Sequence, residues 1–204
     1  MTNKTIGVVD YGSGNLRSVS KALEATGAQA RLVSEPSQLA GLDAVVVPGV
    51  GSFGDSAANL RATGLWEPLR EWILADRPYL GICLGYQLLF ESSEESPGVE
   101  GLGVLKGSVV KFQPGPLKVP HMGWNPLCAL SGGLFEGMPE ETPAYFVHSY
   151  YPVPGDAGIV SATCEYGIEF AAAISHGAVH ATQFHPEKSQ AAGLAILRNF
   201  QNSL

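Results

Sequence analysis

Apolar residues fall along this chain in short runs and spaced stripes, and the spacing changes half-way. Ile6-Gly7-Val8-Val9 reads as a short buried strand, and Leu16, Val19 and Leu23 follow at helical spacing after Asn15. Ala44-Val45-Val46-Val47 is a second such strand. Beyond the turn Pro48-Gly49-Val50-Gly51, Trp66, Leu69 and Ile73 predict a helix with one apolar face. Leu80 to Cys83 forms a third run, with Leu84, Leu88 and Leu89 marking the helix behind it. Strand, turn and helix repeated in this way predict an α/β fold, a parallel sheet wound with helices.

From Gly101 onward the pattern is different. Val104 to Phe112, Tyr145 to Tyr151, Phe170 to Ile174 and Val179 to Phe184 read as strands separated by Pro/Gly turns, with little helix between them. Antiparallel strands that extend or flank the parallel sheet are therefore expected. Ser189 stands where it would cap a last helix bearing Leu194, Leu197 and Phe200. No repeat, low-complexity tract or linker interrupts the chain, so 1–204 is read as one domain.

Composition narrows the classes of partner. Charged residues are 15% of the chain, against a usual ~25%, which implies either a large core or a surface hidden against a partner. The net charge of −7 and the absence of any Lys/Arg run exclude a phosphate-tracking surface, so no nucleic acid is expected. No apolar stretch approaches the ~20 residues that span a bilayer, and Met1-Thr2-Asn3-Lys4 leads straight into a predicted strand, not a signal-peptide core. The scattered Cys83, Cys128 and Cys164 lack Cys-x-x-Cys spacing, which argues for reduced thiols and a cytoplasmic location. Glycine is abundant, 25 residues, and tight turns should be many.

One of those turns carries chemistry. Gly81 and Gly85 flank Cys83 in Gly-x-Cys-x-Gly, the thiol counterpart of a serine nucleophile elbow. A side chain on such a turn projects clear of the sheet, and the unpaired N–H groups of the following helix favour a thiolate. The alternative is a small buried cysteine that ends a core strand. A nucleophilic thiol needs a base, and the base needs an orienting group. Gln183-Phe184-His185-Pro186-Glu187 offers both, with His185 and Glu187 on one side of a strand end and Pro186 stiffening the link. Val50 in the Pro-Gly-Val-Gly turn and Leu84 after the cysteine are candidate backbone donors to an oxyanion, although the turn would also serve as an ordinary β-α connection. His176 and His180, four apart in a presumed strand, share a face but lack metal-site spacing; no metal is expected. His121 and His148 read as hydrogen-bonded wall residues. Gly12-Ser13-Gly14-Asn15-Leu16-Arg17 lacks the third glycine of a dinucleotide loop.

Taken together, GICLGYQLLF, PGVG and QFHPEKSQ resemble the class I glutamine amidotransferases. VDYGSGNLRSV, PGVGSFGDSA, KVPHMGWN and YFVHSY, spanning nearly the whole chain, resemble the branch that serves imidazole glycerol phosphate synthesis in histidine biosynthesis. The resemblance implies a flavodoxin-like, doubly wound mixed sheet and glutamine hydrolysis through a Cys83, His185, Glu187 triad, with no cofactor. It implies that Gln87, Glu95, Ser149 and the Gly51 backbone hold the glutamine. It also implies that Asn15, Trp124, Tyr145 and Lys188 face a separate (β/α)8-barrel cyclase subunit, which receives the ammonia in a heterodimer. For Glu95 the competing reading is an exposed charge in ESSEES. Many amidotransferases place glycine where this chain has Val50, and valine resists positive φ. A poor glutaminase is therefore expected until the cyclase and its ligand tip the turn. The competing readings are a glutaminase subunit of another pathway, a scaffold that has lost its chemistry, and an elbow-cysteine hydrolase or redox protein.

Overall fold

The computed structural model describes residues 4–113 and 115–204; Met1 to Asn3, part of the amino-terminal reading above, lie outside the described residues. Strands β1 (Thr5–Val9), β2 (Gln29–Val33), β3 (Ala44–Gly49) and β4 (Tyr79–Cys83) open the chain. Helix α1 (Leu16–Ala25) separates the first two, and α2 (Phe53–Ala62) and α3 (Trp66–Leu74) separate the last two. Next come α4 (Leu84–Gln87), β5 (Ser92–Ser93), β6 (Gly107–Lys111), β7 (His121–Leu127), β8 (Thr142–His148) and β9 (Tyr150–Pro154). The chain closes with β10 (Val160–Glu165), β11 (Glu169–His176), β12 (Val179–Thr182) and α5 (Gln190–Asn202).

The main sheet has seven strands in the order β10-β11-β12-β4-β3-β1-β2. From β2 to β12 neighbours are parallel, while β11 and β10 run antiparallel on the β12 edge. The chain steps one way from β1 to β2 and the other way from β3 to β4, so right-handed crossovers put α1 and the α2–α3 pair on opposite faces. The predicted α/β class and the antiparallel extension are both present. Strands β3 and β4 are buried at every position, which is why they read as unbroken apolar runs.

Several elements depart from the sequence reading. Strand β2 was not anticipated, because at this edge Gln29 and Arg31 to Leu32 lie at or near the surface and only Val33 is buried. Two helices, not one, join β3 to β4. The helix expected through Leu88 and Leu89 is a single turn, because the carbonyls of Leu88, Leu89 and Phe90 accept from the backbone N–H groups of Leu102, Val104 and Gly103. The run Tyr145 to Tyr151 is two strands in different sheets, parted at Ser149: β8 pairs with β7, and β9 pairs with β6. Strand β7 was missed because its outward face carries Met122 and Trp124, which disguises the alternation; β10 was missed too. Ser189 does not cap α5 through its side chain: its hydroxyl donates to the His185 carbonyl and accepts from the Tyr145 N–H.

The turn between β4 and α4 is tightly packed. A Cβ at Gly85 would run into the carbonyl of Val47 on β3, and one at Gly81 would meet the Gly85 backbone. The Tyr79 hydroxyl, fully buried, donates to the Gly85 carbonyl over 2.8 Å. Gly85→Ala should therefore lower stability by about 2 kcal/mol, through overpacking that the backbone cannot relieve. Thermal unfolding checks this, and an unchanged midpoint would show that the turn yields freely.

Candidate active site

In an open α/β sheet ligands sit beyond the carboxyl ends of the parallel strands. Three adjacent strands end there with chemistry: β3 runs into Val50, β4 into Cys83, and β12 into Gln183 and His185. Cys83 adopts φ 54°, ψ −104°, a conformation costly to an L-residue and consistent with a sharp elbow. It is nearly buried, at 3% exposure, and its sulfur accepts a hydrogen bond from Gln183 Nε2 at 3.6 Å.

His185 and Glu187 stand on a short 3-10 turn beyond β12, not on a strand end, and the turn aims both side chains inward. Nδ1 of His185 meets Glu187 Oε1 at 2.9 Å, with the two side chains 3% and 2% exposed. Nε2 of His185 has no partner, and neither has Glu187 Oε2. Burial alone would hold the imidazole below its ordinary value. The Cys83 sulfur and the Glu187 carboxylate outweigh that burial and raise the His185 pKa to about 9.

Cys83 opens on a cleft of about 400 Å³. Gly51, Leu84, Gln87, Glu95, Ser149 and Lys188 line it, with Cys83 and His148 in its wall. Glu95 is not a free surface charge. It is turned into the cleft, and its Oε2 accepts from the Phe53 N–H at the start of α2, at 2.7 Å. Leu84 opens α4, so its N–H has no intrahelical acceptor. Val50 differs: its N–H is bonded to Ser13 Oγ at 3.1 Å, and the Ser13 hydroxyl donates to the Val50 carbonyl at 2.5 Å. Gly51 takes the positive φ, 99°, while Val50 keeps a negative one. The Val50 N–H is therefore committed to Ser13 and not offered to the cleft.

The sequence pattern of the family described as glutamine amidotransferase class-I matches residues 7–203. The chain belongs to that family. It is 48% identical, over 96% of both chains, to "Imidazole glycerol phosphate synthase subunit HisH" of Rhodopirellula baltica. It is 51% identical, again over 96% of both chains, to the protein of the same name in Methanothermobacter thermautotrophicus. A solved glutamine amidotransferase superposes with a TM-score of 0.74 at 25% identity, covering 97% of each chain. The Thermotoga maritima PurLQS structure, 20% identical, shares the fold with a TM-score of 0.79 over 99% of each chain.

On this amidotransferase the four residues expected to meet a partner do not all touch. Trp124 and Tyr145 pack edge to face with ring centres 5.8 Å apart, and the Lys188 ammonium lies 5.9 Å from the Tyr145 ring. Asn15 is exposed and caps α1 by accepting from the Ser18 N–H. Trp124 is 46% exposed and Met122, on the same face of β7, is 62% exposed. His176 and His180 do not share one strand face: they sit on the two arms of the β11–β12 hairpin, with His176 exposed and His180 bonded to Ser175. Spacing assigns no role to Ser13 or Gln183. Gln183 is adjacent to a recognised motif, and it drew no notice because strand register alone decides which of Gln183 and Phe184 faces the sulfur.

In this amidotransferase the raised His185 value has a readable consequence. Its folded pKa lies above the ordinary 6.5, so the stabilisation from the charged imidazole is complete below about pH 6.5 and is lost as pH rises through about 9. Glutamine hydrolysis should show a basic limb in that region. Glu187→Gln should move the limb to lower pH and cut turnover by roughly two to four orders of magnitude. A pH–rate profile of both proteins checks it, and an unmoved limb would assign the titration elsewhere.

Proposed function

We propose that residues 1–204 form one glutaminase domain that hydrolyses glutamine to glutamate and ammonia and passes the ammonia to a cyclase making imidazole glycerol phosphate in histidine biosynthesis. The observation that carries this reading is the placing of Cys83 and the His185–Glu187 pair at or just beyond the carboxyl ends of the neighbouring strands β4 and β12. They are near enough for the sulfur to raise the His185 pKa, and Cys83 opens on a cleft sized for an amino acid. Likeness to subunits bearing the imidazole glycerol phosphate synthase name supports the pathway. The Cys83 sulfur attacks the carboxamide carbon, and the negative charge moves to the carbonyl oxygen. His185 gives its proton to the leaving nitrogen, ammonia departs, and a thioester remains. Water then attacks the thioester, its proton passes to His185, and glutamate leaves as the sulfur regains its electron pair. Glu187 holds His185 with Nε2 toward the sulfur.

Gln87, Glu95, Ser149 and the Gly51 backbone hold the glutamine α-amino and α-carboxylate groups; Glu95, with one oxygen on Phe53, keeps the other for the ammonium. Leu84 supplies one oxyanion donor. Val50 supplies the second only after its N–H leaves Ser13. The partner is a (β/α)8-barrel cyclase bound as a heterodimer against Asn15, Trp124, Tyr145 and Lys188, in the cytoplasm, and its product pair is imidazole glycerol phosphate and aminoimidazole carboxamide ribotide. Trp124 and Met122, both exposed on one face of β7, fit such a surface, because adjoining apolar side chains left in water suit a docking face. Among the described residues no helix is long and apolar enough to cross a membrane.

Two experiments test this. Cys83→Ala in the reconstituted complex should abolish glutamine-dependent product formation by at least ~10³-fold while ammonium salts still support it; loss of both would make the thiol structural. Ser13→Ala should raise glutamine hydrolysis by the isolated chain several-fold, about the worth of one hydrogen bond. The unmodified chain should gain its activity only with cyclase and ligand present. Equal rates with and without them would remove the turn from the control of the reaction.

A further inference from the structure

A second amide lies against the reacting sulfur. Pairing of β12 with β4 sets Ala181 opposite Gly81 and Thr182 opposite Ile82, so the next residue, Gln183, stands level with Cys83. Its side chain is fully buried, and Nε2 points at the sulfur from 3.6 Å. A side-chain amide could present either its oxygen or its nitrogen there, and the two ends have opposite effects on a thiolate.

The neighbours settle which end faces the sulfur. The Tyr150 backbone carbonyl can only accept, and Gln87 lies 3.0 Å from it, so Gln87 must turn its NH2 group that way. The other hydrogen of that NH2 goes to Gln183 Oε1 at 3.1 Å. With its oxygen occupied as acceptor, Gln183 has only N–H to offer Cys83. The Tyr150 carbonyl accepts again from His148 Nδ1 at 2.8 Å, which leaves His148 Nε2 as an acceptor toward His121 Nδ1 at 3.1 Å. His148 is kept neutral by burial, its pKa near 3, so this tautomer holds throughout the working range. Every hydrogen in the chain from His121 to Cys83 thus has one consistent direction.

We propose that Gln183 is a further catalytic residue, an obligate hydrogen-bond donor that stabilises the Cys83 sulfur as a thiolate, its orientation enforced through Gln87 by the Tyr150 carbonyl. This rests on the reading of Cys83 as the nucleophile. A sulfur that only accepts is best served as an anion, and a donor in a dry site favours the charged form. Gln183 is thereby excluded from binding the substrate carboxamide: its oxygen belongs to Gln87 and its N–H to the sulfur.

The test reads the thiol directly and needs neither glutamine nor the cyclase. Iodoacetamide alkylation of Cys83 is followed against pH by mass analysis of the peptide that bears it, in the full chain and in Gln183→Met and Gln183→Glu. Methionine keeps the length of the side chain and removes the donor, so the midpoint should rise by about one pH unit, with alkylation about tenfold slower below it. Glutamate places an acceptor, and charge of the same sign, against the sulfur and should raise the midpoint further, which keeps the test decisive if one variant fails to fold. Profiles that coincide with the unmodified chain in the folded variants would overturn the role of Gln183 and leave the nucleophile intact. A Cys83 that resists alkylation across the whole range in the unmodified chain would overturn the nucleophile reading and this inference together.

Discussion

The backbone of Cys83 is the constraint on which the rest of the site depends. A residue with a Cβ held at φ 54° and ψ −104° costs about 1–3 kcal/mol and persists only where its surroundings permit nothing else. Here they do not. Gly85 lies so close to the Val47 carbonyl that no side chain fits between α4 and β3, and Gly81 is pressed in the same way against Gly85. Tyr79, Tyr86 and Phe90 fill the space around the turn as fully buried aromatics, and the hydroxyl of Tyr79 pins the Gly85 carbonyl. The thiol is thus fixed by a tightly packed part of the core. Stability and reactivity are in this sense one property of the same few residues.

Sheet topology then does what local sequence cannot. Gln183 and Cys83 are 100 residues apart, yet β12 is inserted directly beside β4, and the two strands run parallel with their carboxyl ends level. An extended chain alternates its faces, so Gln183 can reach the sulfur while Phe184 turns into the core against Phe146. His185 then enters the 3-10 turn that brings Glu187 back beneath it. The Ser189 hydroxyl ties the His185 carbonyl to the β8 strand through the Tyr145 N–H, so the base rests on a second layer of hydrogen bonds. Val50 meets the same frame from the other side of β4, which is why the ends of β3 and β4 open on one cleft.

The strands buried on both faces were legible because burial erases any need for polar residues: β1, β3 and β4 read directly from Ile6, Ala44 and Leu80. Cys83, His185 and Glu187 were legible because the elbow and the His-x-Glu spacing are local. Edges and exposed apolar faces were not. Strand β2 exposes Leu32, and β7 turns Met122 and Trp124 outward, so both violate the rule of apolar inside and polar outside. The Ser13–Val50 pair joins two loops that only the neighbouring strands β1 and β3 bring together, and no spacing announces it. The register that selects Gln183 is likewise a property of the pairing, not of the run itself.

Two buried histidines show how similar burial can sort its groups. His148 and His185 are both buried, and burial disfavours charge on each. His148 has only a carbonyl and a second neutral imidazole for partners, so burial prevails and its pKa sits near 3. His185 has the Glu187 carboxylate on one nitrogen and the sulfur of Cys83 beyond the other, so the same burial is overcome and its pKa reaches about 9. The gap divides the labour. His148 never charges, so it adds no second positive charge beside the imidazolium and can hold a fixed tautomer for the amide chain. His185 keeps its proton at neutral pH, held there by the Cys83 sulfur and the Glu187 carboxylate, which both favour its charged form.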